Sequence, residues 1–284
     1  MAINTDAVGK ESDVVEKSWN SKDCILYALG CGSGTDELSF ATEKNQKVLP
    51  TFGVILGSGV NIGTAIGDFN PAMLVHGEQS IELAGPIPTK GTVKNQGRIA
   101  EIWDKGSGAV IAFETESRDA TTDKILFINR SSIFIRGEGG FGGDRGPQKP
   151  PFVAPNRKPE VVVNYNTKEE QALIYRLSGD RNPLHSDPEF AKMGGFDKPI
   201  LHGLCTYGFT GRALLNSLCD GDPAKFKSIS GRFSKPVLPG QELTINIWVD
   251  GNQAKFQTCV EGSVVIDHGE FAFVTEKVTA EEMV

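Results

Sequence analysis

The chain of 284 residues has no run approaching ~18 consecutive apolar side chains, which excludes a membrane-spanning helix. Its opening segment, MAINTDAVGKESD, lacks the apolar stretch of a secretory signal, and Glu281-Glu282-Met283-Val284 is not a Ser-Lys-Leu peroxisomal address, so the expected compartment is the cytoplasm. Cysteine is scarce: Cys24, Cys31, Cys205, Cys219 and Cys259 are odd in number, scattered and without a C-x-x-C pair, which argues against a disulfide framework or a zinc site. Basic residues are outnumbered, 29 against 36, for a formal net charge of -7. A protein that coats nucleic acid is thereby excluded, and any anionic ligand must find a local cluster of cations.

Glycine and proline are plentiful, at 33 and 15 residues, too many for a helical bundle. With 39% hydrophobic and 23% charged residues the chain is of ordinary globular composition. At ~150 residues per domain its length allows one large domain or two of common size.

The clearest break in pattern is Gly137 to Gly146 (GEGGFGGDRG), followed by PQKPPFVAPNRKPE, and reads as a flexible glycine stretch passing into a proline-rich linker over 137–160. The segments on either side, 1–136 and 161–284, resemble each other. Trp19-Asn20-Ser21-Lys22-Asp23 leads to Tyr27, and Tyr165-Asn166-Thr167-Lys168-Glu169 leads to Tyr175, each predicting a short capped helix, with Asn20 as one cap and Thr167, with Glu170, as the other. Thr51-Phe52-Gly53-Val54 and Leu201-His202-Gly203-Leu204 both open small-residue, apolar stretches, predicting a central helix in each copy. Pro86 and Pro236 lie the same distance apart and introduce strand-like runs such as Thr244 to Val249. The expected fold is α+β: in each repeat, an antiparallel sheet wrapped around one helix.

The copies differ where chemistry can sit. Only the second has Gly179-Asp180-Arg181-Asn182-Pro183-Leu184-His185; opposite Asp180 and His185 the first has Gly32 and Glu37. A carboxylate and an imidazole in one loop can share a water and act as a general acid-base pair. Gly-Asp and Asn-Pro are equally the makings of ordinary turns, with His185 satisfied by backbone just before a helix begun at Asp187-Pro188. Downstream, a helix starting at Gly203 would aim a free N–H at a developing oxyanion, or would place a glycine there for packing alone.

The run from Tyr175 to His185, with His202-Gly203-Leu204 after it, closely resembles the hydratase 2 motif of the MaoC-like family, in its two-repeat, R-specific 2-enoyl-CoA hydratase form. The similarity spans nearly the whole chain and implies a double hot-dog fold. It further implies that Asp180 and His185 are the catalytic pair, that Asn182 orients substrate or water, and that Gly203 is the oxyanion donor. His76 and Gly77, in a segment similar to the family's His-Gly-Glu-Gln, would line the acyl-CoA site with Lys105 and Phe233. Val75 stands before His76 where the family more often has leucine directly. Arg181, Pro183, Leu184 and His202 are neighbouring candidates for substrate contact, and Arg232, Lys235 and Lys198 are candidates for the phosphate patch. By composition alone, Lys105 would be a solvated turn residue and Phe233 core; His268 reads as a surface residue.

The implied reaction adds water to a trans-2-enoyl-CoA, needs no cofactor or metal, and involves neither nucleic acid nor membrane; a homodimer is expected. Two other readings stay open: a hot-dog thioesterase, in which the same loop turns water on the thioester carbonyl, and a non-catalytic acyl-CoA binding module.

Overall fold

A computed structural model describes residues 3–148, 150 and 152–275. The first half runs β1 (Val15–Trp19), α1 (Ser21–Gly30), α2 (Leu38–Ala41), α3 (Phe52–Leu56), β2 (Leu74–Leu83), β3 (Gly91–Asp104), β4 (Gly108–Asp119) and β5 (Ile125–Arg136). The second repeats the plan with β6 (Val161–Asn166), α4 (Gln171–Tyr175), α5 (Pro188–Met193), α6 (Gly203–Leu218), β7 (Phe226–Phe233), β8 (Glu242–Asp250), β9 (Gln253–Val260) and β10 (Ser263–Phe273). The ten strands form one antiparallel sheet in the order β1-β3-β4-β5-β2-β7-β10-β9-β8-β6. Exchanging β1–β5 for β6–β10 reverses this order into itself. The halves meet where β2 pairs with β7, and Ser80 faces Ser230 at that seam. These serines are separated by the same interval as Pro86 and Pro236, so the pseudo-two-fold axis of the repeat passes through them.

The sheet curls around α6. From Cys205 through Leu215 every residue of this helix is buried, because the second-half strands cover one side and the first half's α1 and α3 the other. A helix apolar all round is stable only in such a setting. Tyr207 ties it down, its hydroxyl donating to the Ile229 carbonyl at 2.7 Å. Among the described residues no helix is long and apolar enough to cross a membrane, and all five cysteines are buried and free.

Three expectations need correction. The central helix of the first half is a single turn of five residues against sixteen in α6. Its last carbonyls, those of Ile55 and Leu56, accept from the side chains of Lys17 and Asn95, and Gly59 at φ +98° turns the chain out of the helix. Asn20 does cap α1, accepting from the Lys22 N–H while Asp23 accepts from Asn20. Thr167 caps nothing: its hydroxyl donates to the Gln241 carbonyl, and α4 begins at Gln171 without a side-chain cap. The glycine stretch, finally, is docked rather than loose. The Asp104 carboxylate accepts from the N–H groups of Gly106, Gly140 and Gly142. A methyl group on Gly139 would lie 2.5 Å from the Gly106 carbonyl oxygen, and one on Gly146 2.4 Å from the Trp103 ring. Here glycine serves close approach.

Candidate active site

The second-half loop is built by local rules. After α4 the chain makes a 3₁₀ turn over Arg176–Ser178 and passes Gly179 at φ +144°, a conformation L side chains rarely adopt. Asp180 accepts from the Asn182 N–H at 3.1 Å, and the Asn182 side-chain oxygen accepts from the Leu184 N–H at 3.0 Å, capping a second 3₁₀ turn, Pro183–His185. The Asn182 amide nitrogen has no hydrogen-bond partner among the described residues. Asp187 then caps α5, accepting from Glu189 and Phe190.

This arrangement gives His185 a fixed tautomer. Its Nδ1 faces the Ile200 carbonyl at 2.8 Å; a carbonyl only accepts, so Nδ1 carries the proton and Nε2 keeps its lone pair. His202, 1% exposed, donates from Nε2 to the Asp180 carbonyl at 3.1 Å. The two imidazoles stack, with centroids 3.7 Å apart and planes 27° from parallel. The Asp180 carboxylate and one ring nitrogen of each histidine lie within 4.8 Å of one another. That spacing would admit a metal ion, but stacked rings direct their in-plane lone pairs side by side rather than at one point, so the trio suits proton transfer better.

The first half supplies His76 and Gly77 at a bulge in β2, between His76 and Glu78. The His76 ring meets Phe233 edge-on at 4.9 Å, and Phe233 also covers Gly203, where a methyl group would approach its ring to 3.2 Å. Phe233 thus joins the two halves over the start of α6. Gly203 is the first residue of that helix, His202 offers it no side-chain cap, and no described residue accepts from its N–H. The donor stands at the positive end of a long helix dipole.

Burial sets the protonation of all three imidazoles. It pushes His76 down to about 4 and holds His185 and His202 below the usual imidazole range. The Asp180 charge pulls each upward, but desolvation is the larger effect. The site therefore presents neutral imidazoles at pH 7.

Asp180, His185, His202, Gly203, His76, Gly77 and Phe233 converge. Leu184 packs near Gly194 on the flank of the loop, and Arg181 and Pro183 are exposed on it. Lys105 does not join them: in the β3–β4 turn its ammonium donates to the Arg145 carbonyl and lies 5.3 Å over the Trp103 ring. Arg232 is exposed on the opposite face of β7 from Phe233, as adjacent strand residues must be. Lys235 reaches Ser263 at 3.4 Å, and Lys198 is exposed. His268 is held between Asp267 and the Pro150 carbonyl.

Two residues given no role from sequence stand close to the site or between the halves. Tyr175, 1% exposed, lies 5.0 Å from the His202 ring, and its hydroxyl has no geometric partner among the described residues. Arg212, within the apolar α6, pairs with Glu37 at 2.7 Å, donates to the Cys31 carbonyl at 2.9 Å and sits 3.9 Å over the Tyr165 ring. Glu37, the counterpart of His185, thus locks the halves together. A lone arginine in an apolar helix was the available signal.

Two strand-and-helix repeats joined edge to edge, with the Asp180–His185 loop facing a helix N-terminus, define a double hot-dog protein of the hydratase and dehydratase class. Residues 18–137 match the MFE-2 hydratase 2 N-terminal domain, and residues 151–269 the MaoC like domain. The 3-hydroxyacyl-thioester dehydratase Y of Mycobacterium tuberculosis is 43% identical, over 96% of this chain and 99% of that protein. The probable enoyl-CoA hydratase 2 of Dictyostelium discoideum is 42% identical, over 90% of this chain and 91% of its own. The crystal structure of a MaoC-like dehydratase from Phytophthora capsici superposes with a TM-score of 0.86 at 34% identity, over 96% of this chain and 99% of that one. The chain belongs to the MaoC-like family, in its two-repeat hydratase 2 form.

Proposed function

We propose that the chain adds water reversibly across the 2,3 double bond of a trans-2-enoyl-CoA, giving the (3R)-3-hydroxyacyl-CoA, in the oxidation of fatty-acid or sterol side chains. The observation that carries this reading is the meeting, around the buried His185, of a half-buried carboxylate, a neutral imidazole with a free lone pair and a helix-terminal N–H. Asp180 and Nε2 of His185 hold one water between them. The Asp180–His185 pair takes a proton from this water as its oxygen bonds to C3, and later gives one back to C2; the displaced electron pair runs through C2 to the thioester oxygen, where the Gly203 N–H stabilises the charge. The equation balances with water alone. A preorganised donor of this kind in a dry site is worth ~3 kcal/mol. The Asn182 amide nitrogen orients the water or thioester, and His76, Gly77 and Phe233 shape the space over Gly203, with the first half, 1–136, receiving the acyl chain. The protein acts as a homodimer in the cytoplasm.

The test uses medium- and long-chain trans-2-enoyl-CoA: loss of enoyl absorbance is followed and the product resolved on a chiral column. An R alcohol is the expected result. Release of free coenzyme A without hydration would establish a thioesterase instead, and tight binding without turnover a binding module.

A further inference from the structure

The two repeats keep one aromatic pair at equivalent places and change a single ring in it. In the first half Tyr27 of α1 packs against Phe52, the first residue of α3, with ring centroids 5.0 Å apart. In the second, Tyr175 at the end of α4 packs against His202, also at 5.0 Å. Phe52 and His202 lie as far apart in the chain as Pro86 and Pro236, and each stands directly before a glycine, Gly53 or Gly203. Both are buried, at 3% and 1% exposure. A phenyl ring therefore meets the packing need of this position. A buried imidazole brings two polar nitrogens that packing does not require and that cost free energy unless they are used.

His202 spends its polarity on the loop that only the second half possesses. Its Nε2 donates to the Asp180 carbonyl at 3.1 Å, an anchor from outside the loop, whereas the Asp180 side chain bonds inside it, to the Asn182 N–H. With the proton on Nε2, Nδ1 carries a lone pair and the ring is neutral. Burial, and after it the nearness of His185, push His202 down to about 4, so its ring stays neutral while the Asp180–His185 pair takes up a proton. The ring also stacks on His185, centroids 3.7 Å apart, and is backed by Tyr175. Tyr175 in turn lies against the first half, where a methyl group on Gly30 would approach its Cα to 3.2 Å. The segment that carries His202 is itself pinned: the Leu201 N–H donates to the Val237 carbonyl at 2.7 Å, and the Ile200 carbonyl accepts from His185. Residues 200–203 thus hold the His185 ring, the Asp180 backbone and the Gly203 N–H in one frame. At 1% exposure His202 offers a substrate almost no surface of its own.

We propose that His202 is a positioning residue for the hydration: by donating to the Asp180 carbonyl it sets the acid-base loop against the Gly203 N–H, without touching substrate itself. The inference rests on the hydratase reading above. The test compares the full wild-type chain with His202→Phe, which installs the ring that the first half carries at this place, and with His202→Gln, whose side-chain amide restores an N–H donor. Values of kcat and KM are measured with C8 trans-2-enoyl-CoA, and circular dichroism and thermal melts report folding. In His202→Phe, kcat is expected to fall ~10- to 100-fold, the scale of loss when a catalytic group moves by up to ~1 Å. KM is expected to stay at the wild-type value, and His202→Gln to recover most of the lost kcat. Should the phenylalanine variant fail to fold, His202→Leu takes its place in each comparison. Wild-type kcat in the variant without a donor, a loss carried by KM instead, or a glutamine variant no better than phenylalanine overturns the proposal and leaves the hydratase reading intact. A wild-type chain that hydrates no enoyl-CoA removes both.

Discussion

Imidazole has two nitrogens, and in His185 they are given different tasks by their surroundings. The Ile200 carbonyl fixes the proton on Nδ1, so the lone pair on Nε2 is present without any titration at neutral pH. Asp180→Ala and His185→Ala should each keep the wild-type circular dichroism and lose at least ~100-fold in hydration rate, the contribution of a positioned acid-base group. Full turnover in either variant would refute the pairing. The three buried imidazoles also tie stability to pH. An unfolded histidine takes up its proton near pH ~6.5, whereas the folded rings resist protonation below that, His76 down to about 4. The unfolded state thus binds more protons in this window. Stability is full above the unfolded value and is lost as pH falls from there toward 4, each histidine contributing a slope of up to ~1.4 kcal/mol per pH unit. Urea midpoints measured between pH 7 and pH 4.5 should fall accordingly, and His76→Gln should flatten the curve.

At the level of elements, the N-terminus of α6 faces the Asp180–His185 loop while its body carries the Arg212–Glu37 pair between the halves. Arg212 and Glu37 have 9% and 14% of their side chains exposed, so removing one partner strands a charge. Arg212→Ala should cost about 3–5 kcal/mol, and Arg212→Met with Glu37→Leu should recover much of it; thermal melts of the single and double variants measure the difference. The second-half loop was legible from sequence because its parts are neighbours: Asp180, Asn182 and His185 form their turns by contacts two or three residues long. The length of α3 was not. Thr51 to Leu56 reads like the start of any apolar helix, and its last carbonyls are met by Lys17 and Asn95, brought close only by the folded sheet. Arg232 is the reverse case, since strand parity alone already opposes it to Phe233.

The whole molecule is held by a sheet that runs through both repeats and by a glycine segment clasped to the β3–β4 hairpin. The Asp104 carboxylate is kept below the usual carboxylate range by the Gly140 and Gly106 N–H groups. Asp104→Ala should release residues 137–146 and speed their cleavage by a nonspecific protease, with the sheet intact by circular dichroism; unchanged cleavage would mean that backbone fit alone seats the segment. The repeat itself was visible in sequence through Trp19 and Tyr165, Tyr27 and Tyr175, Pro86 and Pro236, because residues that shape turns and cores survive divergence. The docking of the glycine segment was not visible, since glycine reads alike whether it frees a chain or lets two chains touch.

The seam at Ser80 and Ser230 bears on how such a protein can change. In a dimer of identical subunits every substitution is made twice, so a residue that improves one site is imposed on the other, and the needs of chemistry and of substrate binding compete for the same sequence. Tying the two copies into one chain across this seam removes that constraint. One copy could have a different loop and a shorter central helix without the other losing either, and selection could then act on the two copies at separate positions.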